Sequence, residues 1–233
     1  MNLYIYHHLG LGDHFDCNGI VRHLASNYDY ESIGIFAKSS YSEMVRYMYR
    51  DDSRIHIIEV DKEKLGYQNE RRGVQNFLLE NPGHHLLVIG HENYVHEDDK
   101  NCWEIFYKQL DLPLETRYNQ FHLERDKDAE DKLFEELTNN EPYIFIHEDP
   151  SRGYTLDRSH IKNKKIKIVE NDVSKNIFHF IKIIENAEEI HCMESSFKTL
   201  IDIYAKQENL FFHNFRNHPL GTQSNKNWKV VEY

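Results

Sequence analysis

LYIYHHLGLGDHF, residues 3–15, reads as a short apolar strand that runs without a linker into a glycine turn and the start of a helix. Leu3–Tyr6 is the strand, and Asp13–Ser26 carries apolar residues at helical spacing. Working outward, the same alternation continues. Ser32–Phe36, Ile55–Val60 and His85–Ile89 read as further strands, with helices expected over Ser40–Tyr49 and Tyr67–Glu80. A helix over Asp98–Leu110 follows, broken at Leu112-Pro113, and Trp103–Tyr107 (WEIFY) reads as its aromatic core face. Strands alternating with helices are the mark of a parallel sheet with helices on its faces.

Arg125–Asn139 is strongly charged, with Leu133, Phe134 and Leu137 on one side, and reads as an amphipathic surface helix opening a second half. The alternation then restarts. Tyr143–His147 and Lys165–Val169 are expected strands, followed by a helix capped by Ser174 and running through Asn186. Glu189–Cys192, Asn209–Phe212 and Trp228–Glu232 complete the expected strands, with a helix over Ser195–Ala205. The boundary is expected within Leu112–Arg125, dividing the chain into domains 1–118 and 119–233. The expected class is α/β, two Rossmann-like α/β halves facing a cleft.

Composition removes several functions. With 28 basic and 39 acidic residues the formal charge is −11, which argues against nucleic acid or an anionic membrane as partner, because both need a basic surface. No apolar run approaches the roughly 18 residues of a transmembrane segment. The N-terminus also lacks the basic and apolar regions of a signal peptide. Cys17, Cys102 and Cys192 are odd in number and form no metal-binding spacing, so buried thiols in a reducing, cytoplasmic setting are expected. The sixteen histidines are the unusual item, and His7, His8, His14, His91 and His147 all fall at expected strand ends.

In parallel α/β sheets, ligands bind beyond the C-terminal ends of the strands. Three loops there are chemically unusual. The first, His7–His14, holds Gly10 and Gly12, which permit a tight turn and close backbone approach to a ligand. The dinucleotide fingerprint fails because Phe15 stands where its third glycine belongs, and no Walker lysine follows. Asp13 suits either a helix cap or a catalytic base, His14 lies beside it, and Asn18 follows one turn on. G-L-G-D after the first strand, then Asn18-Gly19, resembles the start of GT-B-type glycosyltransferases such as the heptosyltransferases and fucosyltransferase-like enzymes. That resemblance implies that Asp13 is the general base on an acceptor hydroxyl, with His14 the alternative and Asn18 on the acceptor side.

The second loop, YIFIHEDPSRGY (residues 143–154), ends a strand in His147 and two carboxylates before turning around Arg152. Arginine can pair bidentately with phosphate oxygens. The segment resembles the place where fucosyltransferase-like proteins set a basic residue on the donor diphosphate, which implies donor roles for His147, Asp149 and Arg152. The third loop runs from Cys192-Met193 through Glu194, Ser195 and Ser196 into a helix. Either serine could cap that helix, whose free N–H groups favour an anion. The turn is similar to the Ser/Thr-rich donor turn of GT-B enzymes, which implies Ser195 and Ser196 on the phosphates and Glu194 on the ribose.

His91 and Glu92 follow the fourth strand and are acceptor-side candidates. His91 and His96 are five apart after a strand, so the zinc-protease spacing is not met and no metal is expected. In sum, the resemblance implies a metal-independent glycosyltransferase of glycan biosynthesis, with a nucleotide sugar as co-substrate, no other cofactor, and a glycan or glycolipid acceptor. Two other readings stay open. One is a non-catalytic nucleotide- or sugar-binding module. The other is a metal-dependent phosphohydrolase using His91, His96 and the acidic run after them.

Overall fold

The computed structural model describes residues 2–60, 67–83, 85–93, 102–162, 164–215 and 225–233. The chain divides into two compact units, Met1–Glu124 and Arg125–Tyr233. Each is an α/β layer built on a wholly parallel sheet.

The first unit runs β1 (Asn2–Tyr6), α1 (Leu11–Asn27), β2 (Ser32–Ala37), α2 (Ser39–Met48), β3 (Ile55–Glu59), α3 (Tyr67–Glu80) and β4 (His85–Val88). Helices α4 (Cys102–Gln109) and α5 (Thr116–Asn119) follow. The strand order is β3-β2-β1-β4, with Leu3 opposite Ile33 and His85. Central strands of such sheets are covered on both faces and therefore read as continuous apolar runs. Tyr4, Tyr6, Phe36, Val60 and Val74 form one core cluster with Phe77 packed against it. The expected aromatic face of α4 is buried as Trp103, Phe106 and Tyr107. Arg117, on the short α5 that the sequence reading missed, stacks 4.1 Å above Trp103 and binds Asp16 of α1 at 2.7 Å.

The second unit runs α6 (Lys127–Thr138), β5 (Tyr143–His147), β6 (Lys167–Glu170), α7 (Ile181–Asn186), β7 (Glu189–Met193), α8 (Ser196–Tyr204), β8 (Leu210–Asn214) and β9 (Lys229–Glu232). Its strand order is β6-β5-β7-β8-β9. Side chains alternate across a strand. Phe145 accordingly meets Phe180 and Phe197 on one face, while Ile144 and Ile146 pack with Leu156 and Ile161 on the other. Asp126 caps α6 by accepting the Ala129 N–H at 3.0 Å.

One local reading is corrected. Ser174 does not cap the next helix, because its N–H and hydroxyl are both bound to Asp172. Asn176 does so instead, accepting the Phe178 N–H at the start of a 3-10 turn, Ile177–Phe180, that leads into α7. No helix among the described residues is long and apolar enough to cross a membrane.

Candidate functional site

In the first unit the chemistry gathers where β1, β2 and β4 end. Gly10 is the N-cap of α1, and its N–H donates to Asp13 Oδ2 at 3.2 Å. A Cβ at Gly10 would lie 2.6 Å from that oxygen, so only glycine permits this approach. Gly12 lies inside the first turn of α1 and is not part of the ligand-cradling turn expected of it. Asp13 therefore both closes the helix start and presents its second oxygen. Its side chain is 21% exposed. Burial, reinforced by Asp16, pushes its carboxyl up to about 7, against the pull of the Gly10 N–H and Lys38. A carboxylate poised there is an effective base at neutral pH.

Two neighbours depart from expectation. His14 is completely buried in edge-to-face contact with His7, and desolvation keeps it well below its ordinary value, so it offers no nitrogen to a ligand. Asn18, expected on the acceptor side, is also fully buried. Its amide clamps the backbone of His122, donating to the carbonyl at 3.1 Å and accepting the N–H at 2.9 Å. It is a structural fastener of α1.

Next to Asp13 lies a cavity of about 520 Å³ lined by His8, Leu9, Gly10, Lys38, Glu70, Arg71 and His91. Lys38 and Glu70 pair at 3.0 Å. His91 stacks on Tyr6 with centroids 4.2 Å apart, so it does stand at the pocket. The Glu92 side chain and His96 lie outside the described residues. Lys38, Glu70 and Arg71 were missed in the sequence. Lys38 follows β2 as His7 follows β1, so the strand-end rule could have found it. Nothing in the local pattern marks two residues of α3.

In the second unit, His147 ends β5 and stacks on Phe197 at 4.4 Å. Burial lowers it to about 4, against the opposing influence of Asn171 and Asp149. Arg152 is half exposed, and its Nε donates to Asp149 Oδ2 at 2.6 Å. The turn closes at Gly153, where φ is +80°. Ser195 is the N-cap of α8 but does not cap through its side chain, since its hydroxyl donates back to Met193 O at 3.4 Å. Ser196 opens the helix, and Glu194 precedes it. The sequence reading also missed Arg158, which bridges Glu148 at 2.8 Å and Glu170 at 2.9 Å. Among the described residues no three His, Cys, Asp or Glu side chains converge on a point suited to a metal ion.

The fold as a whole is similar to that of solved proteins. A glycosyl transferase family 9 protein from Veillonella parvula superposes with a TM-score of 0.61 over 100% of this chain and 86% of its own, at 10% identity. The fold is GT-B-like. An Escherichia coli ADP-heptose lipopolysaccharide heptosyltransferase II superposes with a TM-score of 0.57, over 99% of this chain and 90% of its own, at 11% identity. No family model and no curated protein matches the sequence. At such identities the likeness is one of fold, and the GT-B-like scaffold sets where strand ends stand, whereas the chemistry has to be argued from the side chains there.

Proposed function

We propose that this GT-B-like chain is a glycosyltransferase that moves a sugar from a nucleotide-diphosphate donor to a hydroxyl of a glycan or glycolipid acceptor. The observation that carries the reading is Asp13, a carboxyl held near neutrality at the end of β1, beside an open polar pocket. The fold likeness supports it, since the similar solved proteins are named as glycosyltransferases and one as acting with ADP-heptose.

In this reading Asp13 accepts the proton of the acceptor hydroxyl as its oxygen attacks the anomeric carbon. The bond from that carbon to the diphosphate breaks, and negative charge grows on the leaving group. The first-turn amides of α8, the hydroxyls of Ser195 and Ser196, and Arg152 offset that charge without a metal. Glu194 takes the ribose, and His147 and Asp149 shape the same turn. His91, with Glu92, takes the acceptor. Arg152 must exchange Asp149 for phosphate, a small cost for a half-exposed pair. A cytoplasmic setting, expected from the cysteine pattern, belongs to the same proposal.

The test is Asp13→Asn with a panel of UDP-, GDP-, ADP- and CMP-sugars. Transfer should fall by about 10²–10⁴-fold while nucleotide affinity stays within about twofold. In the wild type, kcat/KM should rise as pH passes through about 7 and then level off, because the ionised form is the base. Undiminished turnover in the variant would remove Asp13 as base. The same strand-end turns would serve a nucleotide- or sugar-binding module without turnover, the one alternative. It is marked by thermal stabilisation with nucleotide and no transfer in the wild type.

A further inference from the structure

His8 stands between Asp13 and the loop after β4. Its Nε2 accepts the backbone N–H of His91 at 3.1 Å, and its Nδ1 lies 4.0 Å from Asp13 Oδ1. A backbone N–H can only donate, so Nε2 must carry the lone pair. The neutral ring then holds its proton on Nδ1, the nitrogen that faces Asp13. The loop is shaped around this ring. Gly90 has φ of +77° and His91 φ of +50°, both in the left-handed region. A Cβ at Gly90 would fall 2.7 Å from His8 Nε2 and 2.9 Å from Phe106. His8 is further held edge-on by Phe106 at 5.2 Å and by His91 at 4.8 Å. A non-glycine residue in the left-handed region is uncommon, and here that strained backbone directs an N–H at one imidazole nitrogen.

We propose that His8, locked by the His91 backbone as the Nδ1–H tautomer, is a positioning residue for the Asp13 carboxylate. Its Nδ1–H faces one oxygen of Asp13 from 4.0 Å, while the Gly10 N–H holds the other at 3.2 Å. A short inward movement of either side chain turns the 4.0 Å approach into a hydrogen bond. The other charged or titratable groups near Asp13 are Asp16 and Cys17 on α1 and Lys38 after β2, with Glu70 of α3 paired to Lys38. His8 Nε2 is engaged by the His91 N–H and Nδ1 faces Asp13, so the two nitrogens can be tested separately.

This inference deepens the proposed function and rests on it for its catalytic meaning, yet its test needs no turnover. In the full chain, histidine-selective ¹⁵N NMR should report His8 as the Nδ1–H tautomer at pH 8, and ¹³C NMR should follow the Asp13 carboxyl. His8→Gln retains an acceptor near the Nε2 position and loses the donor facing Asp13. His8→Asn retains a donor near the Nδ1 position and loses the acceptor. The Asp13 midpoint should rise by about one pH unit in His8→Gln and move little in His8→Asn, because a donor favours the ionised carboxylate. An Nε2–H tautomer in the wild type overturns the proposal, whether or not the variants fold. So does a midpoint unmoved in His8→Gln, the result of a ring that only props the 90–91 turn. Failure of the proposed function is seen separately, as absence of transfer by a wild type whose carboxyl titration follows the expected pattern.

Discussion

A carboxyl raised to about 7, in the same unit as a His7 imidazole lowered to about 4, reverses the usual order of titration. Histidine is the side chain whose ordinary value would give pH dependence near neutrality. Instead, burial holds His7 and His147 at about 4 and His213 at about 3, so they are neutral over the physiological range. Asp13, pushed up to about 7, is a group that changes charge there. Its effect on stability has a definite sign. An acid raised from 3.8 to about 7 favours the folded state fully below about 4, and this contribution is lost as pH climbs to 7. Asp13→Asn removes the loss. Relative to wild type, the variant should gain up to ~4 kcal/mol at pH 8, with the difference vanishing by pH 4, in denaturant titrations at the two pH values. A variant that is relatively less stable at pH 8 than at pH 4 would contradict the carboxyl's assignment. A residue that costs stability where it stands is the pattern expected of a working site.

At the scale of elements, α1 shows why a helix can be foreseen and its side chains misread. The glycine turn and apolar spacing after β1 marked it, yet residues His14 through Arg22 are all buried, polar ones included. Sequence periodicity assigns polar residues to solvent, and here that rule failed. Asn18 binds a backbone 104 positions away, and Asp16 meets Arg117 101 positions away. Gly19, noted only as part of the Asn18-Gly19 pair, is where α1 and α5 come closest. A Cβ there would lie 2.5 Å from the Thr116 carbonyl and 2.7 Å from the Tyr107 hydroxyl. Tyr107 is itself bound to the Asp16 carbonyl at 2.9 Å. Gly19→Ala should therefore cost about 1–3 kcal/mol in spite of alanine's better helix propensity. Unfolding of the variant in urea is the measurement, and a stabilised variant would contradict so close an approach of α1 to α5. The third loop gives the complementary case. Ser195, one of the two serines the pattern offered, sits at the N-cap, but its hydroxyl points back to Met193, a rotamer choice no sequence pattern carries.

For the whole molecule, the buried histidines set acid sensitivity. His7 in the first unit, and His147 and His213 in the second, have folded values far below the 6.5 of the unfolded chain. The unfolded state therefore takes up protons first, and their contribution to stability, present above 6.5, is lost as pH falls toward 4. Each such histidine contributes a slope of up to ~1.4 kcal/mol per pH unit in that window. Asp13 works in the opposite sense within the first unit. Trp103 and Trp228 place one fluorescent reporter in each unit, so single-tryptophan variants can follow the two separately. Stability of the second unit should drop steeply between pH 6.5 and 4.5, and a flat profile there would mean that its histidines are not held neutral.

The sequence by itself determined the α/β class and the succession of strands and helices, because both rest on local periodicity that repeats along the chain. It also marked Asp13, His147 and the Glu194–Ser196 turn as strand-end chemistry, since loop position follows once the strands are known. The charge of −11 still argues against a polyanionic partner, but it was silent about one carboxyl or one pocket. Only the tertiary structure withdrew His14 and Asn18 from the surface, brought Lys38 and Glu70 beside Gly10, and set His8 against Asp13. Burial and the approach of distant side chains depend on packing between elements far apart in the chain. They shift a carboxyl by about three pH units, while the residue letter stays the same.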